Sequence, residues 1–379
     1  MKRIYLDSAA ATPVDKRVLA AMEPYFTEIF YNPSALYEGA RTASFALEDA
    51  RRNVAKTIGS RPSEVLFTSG GTESANMAIH GVMRQYPDAE LIVSSIEHDA
   101  VLKPAEKYNL TLVDVDNKGR IILADLETKI TDKTVLISVM LANNEVGTVQ
   151  PISDITALVA DIRANRKAAG NTLPLLVHTD ACQAPLYLEV NVARLGVDLL
   201  TLNGGKMHGP KQSGILYLRA GVVIEPILYG GGQEFGLRSG TENVAFAVGF
   251  AEALIAAQKG RNQRSKKVSE MRDTFMAKLE DELGAEITGH RKHRLANNIH
   301  ALFPGADNER VLFSLDDQGV DAAAGSACSA SKDTSSHVLL AMDYSDEQAR
   351  SSIRLSINAE TTDEDIEKAV EALKVAITA

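Results

Sequence analysis

Short apolar runs alternate with longer stretches of helical periodicity through the first two thirds of the chain, and this rhythm restricts the fold more than any other feature. It predicts a mostly parallel sheet flanked by helices. The strand candidates are Leu91–Ser95, Thr134–Met140, Leu175–Val177, Asp198–Leu202 and Gly214–Leu218. Ile155, Leu158, Val159 and Ile162 mark a helix over Ser153–Ala169 between two of them. An earlier helix covers Arg41–Ile58 and stops at Gly59, a residue suited to the position after a helix end. The polar run from Gln258 to Lys267 interrupts a long helical region, and Val268, Met271, Phe275 and Leu279 begin a fresh amphipathic helix. A domain boundary is expected there. The last helix carries Ile366, Val370, Leu373 and Ile377 on one stripe, with acids in its first turn, so the C-terminal part reads as a smaller α/β unit.

Composition removes several classes. With 45% hydrophobic and 24% charged residues over 379 positions, the chain has ample material for a core, which excludes disorder. A net charge of −10 argues against a nucleic-acid groove or an anionic membrane surface as main partner. Mean hydropathy is −0.09 and no apolar run has spanning length. The start, MKRIYLDSAA, meets Asp7 without the apolar core of an export signal, so a cytoplasmic location is expected. Two cysteines, Cys182 and Cys328, form neither a disulfide framework nor a metal motif, and a reduced setting with no metal fits them.

Polar residues gather where the strand candidates end. Leu91–Ser95 runs into Glu97-His98, Thr134–Met140 into Asn143-Asn144, Leu175–Val177 into His178-Thr179-Asp180 with Gln183 behind, and Asp198–Leu202 into Asn203-Gly204-Gly205-Lys206. In open parallel sheets the ligand lies beyond those carboxyl ends, so the four ends predict one shared site. A lysine there can form a Schiff base, an aspartate can keep a pyridine nitrogen protonated, and a histidine can stack or move protons. Upstream, the small residues Thr68–Thr72 lead into a helix over Ser74–Met83, an arrangement suited to holding a phosphate on backbone N–H groups.

The stretches YLDSAAATP, FTSGGTESAN, EHDAV, NNEVGTVQP, HTDACQ, GGGQEFGLRSGTEN, GSACSA and SSIRLS, in this order from Tyr5 to Ser356, resemble the NifS-like cysteine desulfurases. These are class V aminotransferases of pyridoxal phosphate (PLP) fold type I. The resemblance implies a large domain at 13–258 with a mostly parallel seven-stranded sheet. A smaller C-terminal α/β domain, 259–379 with 1–12, would carry Cys328 and Arg354. It further implies Lys206 as Schiff-base lysine, Asp180 as pyridinium partner, and His98 as ring-stacking acid/base. Asn144 and Gln183 would contact the phenolic oxygen. Gly71, Thr72 and Asn203 would hold the phosphate, with Thr241 added by the second subunit of a homodimer. Arg354 and Asn32 would bind the substrate, L-cysteine. Cys328 would receive the persulfide and pass sulfur to an Fe–S scaffold or a tRNA-thiolation carrier. Cys182 keeps the reading of a small buried residue.

The chain departs from the family's pattern in places. Asn203-Gly204-Gly205 replaces Ser-Gly-His before the lysine, Tyr37 stands for a histidine, and Phe235 stands where arginine is common. Asn358-Ala359 replaces Gly-Arg, and 162–174 reads as an insertion. Other readings stay open: a selenocysteine lyase, another enzyme of the same superfamily, or a degenerate homologue acting as a sulfur carrier.

Overall fold

Twelve strands build three sheets among the residues described by the computed structural model, 3–325 and 335–378. In chain order they are Ile4–Tyr5 (β1), Val65–Thr68 (β2), Glu90–Ser94 (β3), Asn109–Val113 (β4), Thr134–Ser138 (β5) and Leu176–Asp180 (β6). There follow Leu199–Asn203 (β7), Gly214–Leu218 (β8), Glu286–Ile287 (β9), Asn298–Leu302 (β10), Val320–Asp321 (β11) and Ser352–Ser356 (β12). The central sheet has seven strands in the order β2-β8-β7-β6-β5-β3-β4. Only β8 runs against the others, so β2, β3, β5, β6 and β7 all present their carboxyl ends at one edge. A three-stranded antiparallel sheet, β12-β10-β9, and the short parallel pair β1-β11 complete the set.

The central strands are buried on both faces, which is why they read as near-continuous apolar runs. Helices supply the cover. Glu38–Ile58 buries Ala40, Ala43, Leu47, Ala50 and Val54 and packs against Val244–Lys259. Each large side chain so removed from water contributes about 1.5–3 kcal/mol. Gly59 closes the first helix at φ 73°, in the left-handed region. Among the described residues no helix is long and apolar enough to cross a membrane.

Several expected boundaries move. The expected strand Leu175–Val177 continues to Asp180, because the polar His178 is satisfied sideways by Ser138 Oγ (2.8 Å) and Thr201 Oγ1 (3.0 Å) on the flanking strands. β4 has no counterpart among the expectations, since it is an edge strand with polar, partly exposed positions. The polar run Gln258–Lys267 is itself largely helical. Val244–Lys259 and Arg261–Leu283 are both helical, and only Gly260 separates them. Their polar side chains clamp the turn at 185–188: Gln258 donates to the Pro185 and Leu188 carbonyls, and Arg264 to that of Leu186. The stretch read as an insertion at 162–174 begins as the last turns of the helix Ile152–Ala168.

Candidate active site

The carboxyl edge of the central sheet carries one pocket that gathers most of the expected residues. Gly71, Thr72, His98, Asn144, Asp180, Cys182, Gln183, Asn203, Lys206 and Arg354 line it, with Ala9 and Ala10. Most of them reach it by a short path from a strand end, whereas Arg354 lies within β12. The pocket sits where chain order reverses across the sheet, with β3–β4 on one side and β5–β7 on the other.

At one end, β2 turns through Gly70, at φ 140°, into the helix Gly71–Gln85. A helix start leaves its first N–H groups without intrahelical acceptors, and those of Gly71 and Thr72 border the pocket. Glu73 stabilises the turn by accepting the Ser69 N–H and pairing with Arg238 at 2.8 Å. A Cβ on Gly71 would lie 2.7 Å from Cys182 Sγ, so the backbone closes this cup without room for a side chain. Asn203 adds an amide: its Oδ1 accepts the Gly205 N–H at 3.0 Å, which leaves Nδ2 beside Gly71.

Asp180 also lines the pocket, and its Oδ1 accepts the Cys182 N–H at 2.9 Å. Burial, reinforced by this carboxylate, pushes the Cys182 thiol well up, so it stays protonated at neutral pH. His98 caps the helix Asp99–Ala105 by accepting the Ala100 N–H on Nδ1 at 3.0 Å, which leaves Nε2 as the ring's other working nitrogen. Gln183 Nε2 donates to the Ala9 carbonyl at 3.0 Å. Lys206 Nζ donates to the Ala10 carbonyl, and Thr12 N–H and Oγ1 both donate to the Gly205 carbonyl at 3.1 Å. The small residues of the N-terminal segment thus roof the lysine.

Arg354, on β12, is buried and engaged. It donates to Asp7 Oδ1 at 2.7 Å and to the Asn144 carbonyl at 3.1 Å. Asp7 is a partner the sequence reading did not single out, although it lies inside YLDSAAATP. Glu97 is another. It is fully buried behind His98, one carboxyl oxygen accepts the Met140 N–H, and the other has no partner. Burial raises its pKa well above the ordinary range, with Asp180 adding to the effect.

Two expected residues, Asn32 and Thr241, lie away from this pocket, and a third is not among the described residues. Asn32 is exposed, with Oδ1 accepting the Ser34 N–H. Thr241 is exposed and borders a separate cavity with Ser69, Gln212 and Arg238. Cys328 lies outside the described residues.

The geometry offers helix-start amides, an amine, a carboxylate and an imidazole around one slot, a set able to hold an anionic aromatic group and move protons next to it. Comparison with known proteins agrees. The sequence profile of class-V aminotransferases matches residues 4–369. The chain is 40% identical to the cysteine desulfurase IscS of Dictyoglomus turgidum, over 99% of this chain and 94% of that protein. It is 39% identical to the putative cysteine desulfurase IscS 1 of Bacillus subtilis, over 97% of each. Among solved structures it is similar to a NifS-like protein, with a TM-score of 0.90, 33% identity and 99% of each chain covered. It is also similar to SspA in complex with cysteine, at a TM-score of 0.81, 32% identity, and 94% and 99% of the two chains.

Proposed function

From the premise that this chain belongs to the class-V aminotransferase family, we propose that it is a PLP-dependent cysteine desulfurase, converting L-cysteine to L-alanine and leaving a persulfide on Cys328. One observation carries the reading. Lys206, Asp180, His98 and the start of the helix Gly71–Gln85 converge on a single pocket, in a chain similar over its length to cysteine desulfurases.

The residues present fit the cofactor. The glycine-walled cup and the Asn203 Nδ2 suit its phosphate, and the Asp180 carboxylate in the same pocket suits a protonated ring nitrogen. Bound there, PLP supplies an electron sink for the substrate α-carbon. The protein does the rest. Lys206 would hold the cofactor through its carbonyl, and its amine would take the α-proton and return it. His98 would stack on the ring, and Asn144 and Gln183 would contact its phenolic oxygen. Arg354 binds the substrate carboxylate through N–H groups not used on Asp7 and Asn144. The Cys328 thiolate attacks the substrate sulfur, the C–S bond breaks, and its electron pair stays with the carbon that becomes the alanine methyl group.

The reading includes a homodimer. Phe26, Phe30, Tyr37, Phe45, Tyr229 and Phe235 are large exposed apolar residues, and Thr241 does not reach the pocket of its own chain. A second copy would cover the first and receive the second. The division into units 13–258 and 1–12 with 259–379 is supported by the pairing of β1 with β11 and of Asp7 with Ser356. Sulfur delivery to an Fe–S scaffold or a tRNA-thiolation carrier, in the cytoplasm, completes the proposal.

The test is incubation of the PLP-loaded protein with L-cysteine and a thiol reductant. Alanine and sulfide should appear in equal amounts, and mass spectrometry without reductant should find the extra sulfur on Cys328. Lys206→Ala should lose turnover by at least about a thousandfold, since anchor and proton carrier vanish together. A persulfide confined to Cys182, or normal turnover in Lys206→Ala, would refute the assignment.

A further inference from the structure

A row of buried polar side chains crosses the three-stranded sheet and ends at Arg354. His300 on β10 lies directly opposite Arg354 on β12. On its other side Thr288 pairs with it: the Thr288 N–H donates to the His300 carbonyl at 3.0 Å, and Thr288 Oγ1 lies 2.8 Å from His300 Nδ1. Both His300 and Arg354 are almost completely buried, at 0% and 1% exposure. Among the described residues, neither His300 Nε2 nor Arg354 Nε has a hydrogen-bond partner. A buried unpaired acceptor and a buried unpaired donor on facing residues are each expensive, and together they cancel.

The charge around the ring selects its tautomer. Burial, with Arg294 and Arg354 nearby, lowers the His300 pKa to about 3, so the imidazole is neutral. If the Thr288 hydroxyl donated to Nδ1, the ring proton would sit on Nε2 and point at cationic neighbours. If Nδ1–H donates to Thr288, Nε2 keeps its lone pair toward them. The second arrangement is favoured electrostatically.

We propose that His300 is a positioning residue for Arg354, its Nε2 accepting the Arg354 Nε–H after a small side-chain rotation. Directly opposed residues hold their Cβ atoms about 4.5–5.5 Å apart, which puts this contact within reach. With Nε on His300, one terminal N–H on Asn144 and one on Asp7, the guanidinium keeps one N–H on each terminal nitrogen for a carboxylate. The inference rests on the reading of Arg354 as the group that binds the substrate carboxylate.

Steady-state kinetics on L-cysteine with the PLP-loaded enzyme test it, comparing wild type, His300→Leu, His300→Asn and Arg354→Gln. His300→Leu should raise KM about tenfold with kcat changed less than about twofold, the scale of one hydrogen bond to a charged group. His300→Asn, which keeps an acceptor on a shorter side chain, should recover most of the loss. An unchanged KM in His300→Leu overturns the proposal, as does a parallel fall in kcat and thermal stability that His300→Asn fails to rescue. An unchanged KM in Arg354→Gln fails a different claim, the carboxylate role of Arg354. Independently of turnover, 15N spectra of selectively labelled protein should show His300 protonated on Nδ1. A proton on Nε2 overturns the proposal.

Discussion

Asn203 and Gly205 show how a single residue's backbone can do a side chain's work. The resembling enzymes carry a hydroxyl and an imidazole here, whereas this chain has an amide and a glycine. The Gly205 N–H fixes the Asn203 carbonyl oxygen at 3.0 Å, and that contact turns Nδ2 toward the cup beside Gly71. Asn203→Ala removes this donor and should weaken PLP retention by about 1–3 kcal/mol, measured as cofactor loss on dialysis. Gly205→His is the complementary change. A Cβ at 205 would meet Asn203 Oδ1 at 3.4 Å, Lys211 Cγ at 3.5 Å and Lys211 Cα at 3.7 Å, all ordinary contacts, and the glycine is not among those at positive φ. The imidazole therefore fits and should slow cofactor loss. Expulsion of PLP by Gly205→His, or unchanged retention in Asn203→Ala, would show that the phosphate is held by other groups.

At the scale of elements, the segment Gly230–Asn243 depends on one buried ion pair. Arg51, from the helix Glu38–Ile58, binds both oxygens of Glu234 at 2.7 and 2.8 Å and donates to the Val65 carbonyl. Phe67 and Phe235 each lie 5.1 Å from its guanidinium carbon. Glu234 and Phe235 both have positive φ, at 46° and 60°, a strained course that the paired carboxylate holds in place. Arg51→Met leaves Glu234 buried and unpaired, and should cost about 3–5 kcal/mol. Thermal unfolding should show the loss, with partial recovery in the double variant Arg51→Met, Glu234→Gln. A single variant as stable as wild type would mean that Glu234 finds water instead. The sequence could not announce this pair, since 183 positions separate its members and nothing in the helical pattern around Arg51 points to Glu234. The strands and their polar ends were legible for the opposite reason. Each is a local apolar run, and a parallel sheet forces all their carboxyl ends to one edge. Asp7 and Glu97 fell between these cases: both sit inside recognisable motifs, but only the fold shows that one clamps Arg354 and the other is sealed from water. The role of the polar run Gln258–Lys267 was not legible, because composition marks solvent exposure while Gln258 and Arg264 bond the carbonyls of the 185–188 turn.

For the whole molecule, buried titratable groups set the pH range of stability with opposing signs. His178 is lowered from 6.5 to about 4 by burial, and His300 from 6.5 to about 3. In both, the unfolded chain binds a proton that the native state refuses, so stability falls as pH drops from 6.5 toward those values. Glu97 acts the other way. Its native carboxyl stays protonated above the ordinary 4.5, whereas the unfolded chain releases that proton, so stability falls as pH rises past 4.5. Each such proton contributes a slope of about 1.4 kcal/mol per pH unit. Above 6.5 the two histidines no longer contribute, and Glu97 tilts the curve downward. Glu97→Gln keeps an acceptor for the Met140 N–H and cannot ionise. The variant should therefore gain thermal stability over wild type at pH 8, gain less at pH 5, and show a flatter alkaline limb. A stability difference identical at the two pH values would mean that Glu97 ionises in the folded protein, and that the carboxyl behind His98 carries a charge.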